Sequence, residues 1–311
     1  MTPLFTVLLS THRAPFFLPF AIESVLQQTC KDFELCVISD GAPPETVECA
    51  KDFARRDQRV KVFVFEKGER HGEAHLHAVL TQSSAAYVAH LEDDDLWFPN
   101  HLEELGTLLS DVDFGHVIHV WAHGDGSIEA LPCDLSIPEF RQRFLVEWSN
   151  RIGYSVCGYR LEAYRRLPEG WAPSPPRTWP DFHMWRKFYR MADLRFGTRM
   201  VVTAIVLAEF LRASVPIGKR IEESQSWLAR IRDRRQRDDI IEAAWRSVIR
   251  ICLHREQQVA SLERAREAYL SETNAQFDRI LSSKSWRLTR PARILRHFAS
   301  RLASRTPKIY Q

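Results

Sequence analysis

The sequence predicts an α/β fold, with a mostly parallel central sheet flanked by helices and a C-terminal α-helical region behind it. Three observations predict it. Apolar runs of strand length alternate with stretches of helical periodicity through the first hundred residues, polar residues recur directly behind those runs, and from about residue 216 the pattern becomes nearly continuous helix.

Taken in order, "FTVLLS" (5–10) is a strand, followed by a loop and then by "FAIESVLQQT", whose apolar positions repeat at helical spacing. "FELCVISDGAPPET" is a second strand, stopped by Asp40-Gly41 and by Pro43-Pro44, with Glu45 placed to open a helix. "VKVFVFE" and "AAYVAHLE" repeat the strand pattern, with a helical stretch after His71 between them. Strands alternating with helices predict parallel strands joined by crossovers, and ligands of such sheets bind outside the carboxyl ends of the strands. Ser10, His12, Asp40 and the acidic run Glu92, Asp93, Asp94 and Asp95 all follow strands, so they are expected on one rim.

Beyond residue 112 the alternation fails. "DFGHVIHVWAHGD" and "GYSVCGYR" read as strands, with a helical piece around Phe140 to Trp148 between them. The proline-rich "EGWAPSPPRTWP" reads as a loop lining something, before a helix near Asp181. Further on, Ile241, Ala244, Trp245, Val248, Ile249 and Cys252 are expected on one helical face. Two domains are expected, 1–215 and a helical region 216–311 ending in a basic amphipathic tail.

At 45% hydrophobic and 27% charged residues, the chain has the composition of a soluble globular protein. Pro3 to Leu9 lacks the basic leader of a signal peptide, and Met200 to Leu211 is too short to span a bilayer. A cytoplasmic protein is expected, or one on the cytoplasmic face of the inner membrane. The six cysteines show no CxxC pair or ligand-like spacing, which predicts reduced thiols.

Four consecutive carboxylates repel one another unless a positive charge lies among them. They are either a solvated turn at the start of the helix from Asn100 or the seat of a hard cation such as Mg²⁺ or Mn²⁺. In "HGEAHLH", Gly72 stands where the zincin pattern needs Glu, which argues against a histidine metal site at His71, His75 and His77.

Five stretches in this order, "FTVLLSTHR", "AIESVLQQT", "FELCVISDGA", "AAYVAHLEDDDLWFP" and "WPDFHMWRKF", resemble glycosyltransferase family 2, whose fold is called GT-A. The resemblance covers roughly residues 4 to 210. It implies a metal-dependent inverting glycosyltransferase that moves a sugar from a nucleoside-diphosphate sugar to an acceptor hydroxyl, on a surface glycan or a lipid-linked precursor. By it, the family's Asp-x-Asp motif lies within residues 92–95, with Asp94 the leading ligand of Mn²⁺ or Mg²⁺, Glu92 and Asp95 beside it, and Asp93 near the ribose. Asp40 matches the residue that contacts the nucleotide base. Ser10 and His12 match the pair that frames the base, although an aromatic is more usual than His12. Arg70 or His75 matches a basic residue near the phosphates. Asp181 matches the catalytic base, a role compatible with capping its helix.

The tail "SKSWRLTRPARILRHFASRLASR" resembles one found in bacterial surface-polysaccharide glycosyltransferases. Nine Lys/Arg and no Asp/Glu lie from Arg279 onward, as suits an anionic membrane surface; the alternative is docking on the protein's own helical region or on a partner subunit. No nucleic-acid partner is expected, since no reading module is present. Two other functions fit such a sheet: a nucleotidyltransferase that makes the sugar-nucleotide, which "STHRAPF" disfavours by lacking glycine, and a non-catalytic scaffold.

Overall fold

In a computed structural model, which describes residues 2–289 and 291, the first part of the chain forms β1 (Phe5–Thr11), α1 (Leu18–Leu26), β2 (Phe33–Asp40), α2 (Pro44–Arg56), β3 (Val60–Phe65), α3 (Glu73–Leu80) and β4 (Tyr87–Glu92). There follow β5 (Leu96–Trp97), α4 (His101–Leu109), β6 (Phe114–Ala122), β7 (Ile128–Glu129), α5 (Pro138–Val146), β8 (Cys157–Arg160), α6 (Leu161–Arg165), α7 (Pro180–Tyr189) and β9 (Phe196–Val206). Helices α8 (Ile217–Arg232), α9 (Arg234–Ser282) and α10 (Lys284–Leu288) come last. Residue 290 and residues 292–311 lie outside the described residues, and with them most of the basic tail. Among the described residues no helix is long and apolar enough to cross a membrane, and all six cysteines are free thiols.

The strands form one sheet in the order β3-β2-β1-β4-β8-β6-β9-β5, with β7 on β6. The expected parallel half is present: β1 pairs with β2 and β4, and β2 with β3. Strand β2 is buried along its whole length, as parallel strands are when helices cover the sheet, and α2 and α3 pack against it. Proline at the first turn and Glu45 behind it start α2 as expected.

Past β4 the sheet is mixed. Strand β8 is antiparallel to β4 and β6, β6 is parallel to β9, and β5 is antiparallel to β9. The first compact unit continues to Ile249. Its second apolar cluster joins Leu96, Phe98, Val120 and Ile205 of the sheet to Trp227 and Ile231 of α8 and to Ile240 and Ala244 of α9. The buried face of α9 is therefore centred on Ile240, Ala244 and Ser247. Ile241, Trp245 and Val248 lie at its margin, while Ile249 and Cys252, expected on that face, are exposed. The second unit, from Arg250, carries α9 on as continuous helix to Ser282, its side chains largely exposed. Ser283 then caps α10 by accepting the Trp286 backbone N–H.

One glycine sets a site residue. Gly72, before α3, has φ +72°, and a Cβ there would come within 2.5 Å of the Asp40 carboxyl carbon. Gly72→Ala is expected to lower stability by about 1–2 kcal/mol through the left-handed backbone alone, read as a lower urea midpoint at unchanged slope; an unchanged midpoint would show that this turn tolerates a side chain.

Candidate functional site

The carboxyl ends of β2, β1 and β4 form one rim. Ser10 is in register with Ile38 on one side and Glu92 on the other, and Asp40 follows Ile38 by two residues, so Ser10, Glu92 and Asp40 fall on one face of the sheet. His12 is exposed in the loop behind β1.

Asp40 is buried, with its charge well supported. Gly68 donates its backbone N–H at 2.6 Å, Lys67 makes an ion pair, and His75 Nε2 lies at 3.3 Å with its ring stacked on Phe65. Burial raises the Asp40 carboxyl, but the Lys67 and Gly68 hydrogen bonds outweigh it and hold the group below its ordinary value. Arg70 donates instead to the Ser174 carbonyl at 3.1 Å, and His77 pairs with the Tyr164 hydroxyl at 2.7 Å.

The acidic run is not a solvated turn: Asp93 and Asp95 are buried. The positive charge among its members is Arg13. Its Nε and Nη2 donate to Asp93 Oδ1 at 2.9 and 2.5 Å, Nη2 lies 3.0 Å from Asp94 Oδ2, and Nη1 donates to Glu209 Oε2 at 3.1 Å. Burial works against the charge of Arg13, and the three carboxylates more than restore it. Asp93 Oδ2 accepts the Thr11 hydroxyl at 2.6 Å.

Asp95 fixes the backbone. Its Oδ2 accepts from Ser155 Oγ at 2.6 Å and its Oδ1 from the Leu207 N–H at 3.0 Å, while the Ser155 hydroxyl also accepts the Glu92 N–H at 3.0 Å. Trp97, buried as a packing residue, donates to the Ser155 carbonyl at 2.6 Å and stacks on His101. The other oxygen of Asp94 and the carboxylate of Glu92 have no hydrogen-bond partner among the described residues. The carboxyls of Asp94, Asp95 and Glu92 are shifted upward. Burial, opposed by Arg13 and aided by Asp93, pushes Asp94 up to about 6; burial and the charge of Asp94 push Asp95 up to about 7. Glu92 is raised well above its usual value by burial, then by Asp94, Asp95, Asp93 and Asp181.

Asp181 lies in the first turn of α7, behind Pro180, with Trp179 in the cap position. Its Oδ2 accepts from Asn150 Nδ2 at 2.7 Å and its Oδ1 from the Phe182 N–H at 2.7 Å. Burial lifts it to about 6 against those two hydrogen bonds. Its charge is the last of the contributions that raise Glu92. Trp185, four residues on, is fully buried.

A small recess beside Asp94 is lined by Phe17, Leu207, Arg212, Arg220, Glu223 and Ser224; it includes neither Asp40 nor Asp181. Among the described residues no group of three or more His, Cys, Asp and Glu is gathered as a metal cage. Sequence reasoning missed Arg13, Asn150, Ser155 and Glu209. Arg13 stood next to a chosen residue, His12; the others carry no local signal, because distant segments bring them to the rim.

The family model described as Glycosyl transferase family 2 matches residues 6–167, more than half of the chain. The O-antigen biosynthesis glycosyltransferase WbnJ of Escherichia coli is 30% identical over 32% of this chain and 39% of its own length. The chain spans less than half the length of the first curated relatives it matches. Among solved structures, S. aureus TarS 1-349 in complex with UDP-GlcNAc aligns over 67% of this chain and 59% of its own, at 15% identity and a TM-score of 0.52. The mannosyltransferase PcManGT from Pyrobaculum calidifontis, in complex with GDP-Man and Mn²⁺, aligns over 93% and 83%, at 16% identity and a TM-score of 0.50. Likeness at such identity establishes the GT-A fold alone. With the family model lying over the strands that build the acidic rim, the chain belongs to glycosyl transferase family 2.

Proposed function

We propose that the chain moves one sugar from a nucleoside-diphosphate sugar to an acceptor hydroxyl with inversion at the anomeric carbon, and that a divalent cation assists. The observation that carries this reading is the rim itself: a supported Asp40 and a partly buried Asp93–Arg13–Asp94 cluster, together with an Asp181 held by Asn150. TarS and PcManGT, which share the fold, bind UDP-GlcNAc and GDP-Man.

Asp40 takes the base, with Ser10 and His12 framing it. Asp93 Oδ2 accepts the Thr11 hydroxyl and keeps acceptor capacity for the ribose. The donor set suits a hard cation: all oxygen, with one oxygen of Asp94 and the Glu92 carboxylate unpaired among the described residues, and carboxyls whose protons a cation would displace. Asp94 would hold it with Glu92, Asp95 steadying the loop, and diphosphate and water would supply the remaining oxygens. When bound, the cation neutralises charge that builds on the departing diphosphate.

Asp181 accepts the acceptor hydroxyl proton as that oxygen bonds to the anomeric carbon; the bond to the diphosphate breaks and its electrons leave with the nucleotide. Asn150 and the Phe182 N–H aim the carboxylate. We assign the acceptor to surface polysaccharide or glycolipid synthesis, in keeping with the O-antigen name of one relative, and the basic tail to an anionic membrane.

In a thermal-shift panel of nucleoside diphosphates and sugar-nucleotides with Mn²⁺, at least one should raise the melting temperature by several degrees. Asp94→Ala should lose that shift; a shift kept in the variant refutes the Asp94 assignment, and none in the wild type refutes the donor reading. Asp181→Asn should keep the donor shift and lose about 10²–10⁴ in turnover. Because Asp181 must be ionised to accept a proton, wild-type kcat/KM should fall as pH drops through about 6; a flat profile between pH 5 and 7, or full turnover in Asp181→Asn, removes Asp181 from the chemistry.

A further inference from the structure

We propose that Trp148 and Trp179 form a stacking platform for a pyranose ring of a saccharide acceptor, next to Asp181. The inference deepens the transferase reading above and rests on it. Large aromatics are ordinarily buried, yet Trp148 is 55% and Trp179 52% exposed, with Val146 beside Trp148 in sequence at 81%. Contiguous exposed apolar surface marks a binding site more often than chance.

The two indoles form a built unit. Their centroids are 6.2 Å apart with planes 33° from parallel, and both contact the buried ring of Phe182, at 5.8 Å and 6.5 Å. Each tryptophan is two residues from one partner of the Asn150–Asp181 hydrogen bond, so its Cα lies within about 7 Å of that partner's Cα. The proline-rich segment that ends in Trp179 thus borders the proposed base.

A saccharide fits this chemistry better than a lipid surface. A pyranose has an apolar face of C–H bonds, slightly positive, that complements the negative face of an indole, and a rim of hydroxyls suited to an amide and a carboxylate such as Asn150 and Asp181. An anionic bilayer calls for free cations around the aromatics. Here Arg143 is paired with Glu147 at 3.1 Å and Arg186 stacks on Phe182 and donates to the Leu145 carbonyl, but Arg177 stands exposed two residues from Trp179; what favours the saccharide is the Asn150–Asp181 pair beside the indoles.

Saturation-transfer NMR on the full chain with the methyl glycosides of glucose, galactose, mannose and N-acetylglucosamine at millimolar concentration tests this. At least one glycoside should show transfer, strongest at its ring C–H protons. Its affinity should fall about tenfold, the loss of roughly 1.4 kcal/mol of stacking, in Trp148→Ala and Trp179→Ala, and return in Trp148→Tyr. The nucleotide-induced thermal shift should persist in all three and report intact folding. No transfer from any glycoside, equal transfer in the alanine variants, or variants that instead lose binding to phosphatidylglycerol vesicles would overturn the platform. A protein that shows no nucleotide shift yet loses glycoside transfer on substitution refutes the donor reading and spares the platform; a normal nucleotide shift with no transfer does the reverse.

Discussion

A guanidinium lodged between two carboxylates, Arg13 against Asp93 and Asp94, is the contact on which the rim depends. Acidic groups taken out of water repel one another and are costly to keep ionised; a fixed cation among them makes the arrangement tolerable. Arg13 also reaches Glu209, behind β9, and its carbonyl accepts the Thr46 hydroxyl of α2. One residue therefore ties the loop after β1, the loop after β4, a helix and the segment after β9. Removing one partner of such a cluster strands the others without compensation.

Around that contact the protein sets the acidic loop from several directions. Asp95 joins Ser155 to the Leu207 backbone. Gln28, at the end of α1, donates to the Phe98 carbonyl at 2.7 Å and accepts the Leu102 N–H at 2.9 Å, which holds the exit of the loop and the start of α4. Side chains pinned by packing and by supporting hydrogen bonds can aim charge without reorganising during a reaction. The same loop that would grip a donor is thereby part of the core.

The parallel half of the fold was legible because it rests on local signals. Strand-length apolar runs, helical spacing and Pro or Gly punctuation each depend on neighbours in sequence, and the strand-end rule turns Ser10, Asp40 and Glu92 into rim residues before any coordinates. The order of strands past β4 depends on long-range pairing, so "DFGHVIHVWAHGD" and "GYSVCGYR" read as strands without partners. The buried face of α9 was misplaced by about a residue toward Ile249 and Cys252, because helical periodicity describes a stripe but does not say where its contact with the sheet ends. Arg13 was overlooked for the same reason: its meaning comes from residues 80 and 196 positions away. The two exposed tryptophans are invisible as a pair in sequence, since 31 residues separate them.

Urea unfolding of Arg13→Met beside the wild type, at pH 8 and at pH 5, tests the central contact most directly. Asp94 has its folded value raised to about 6, so the burden of its charge is present above that pH and is relieved as pH falls below it. The variant should lose about 2–3 kcal/mol at pH 8 and distinctly less at pH 5. No loss at pH 8, or the same loss at both, would contradict the account of Arg13 as the resident counter-charge of the acidic rim.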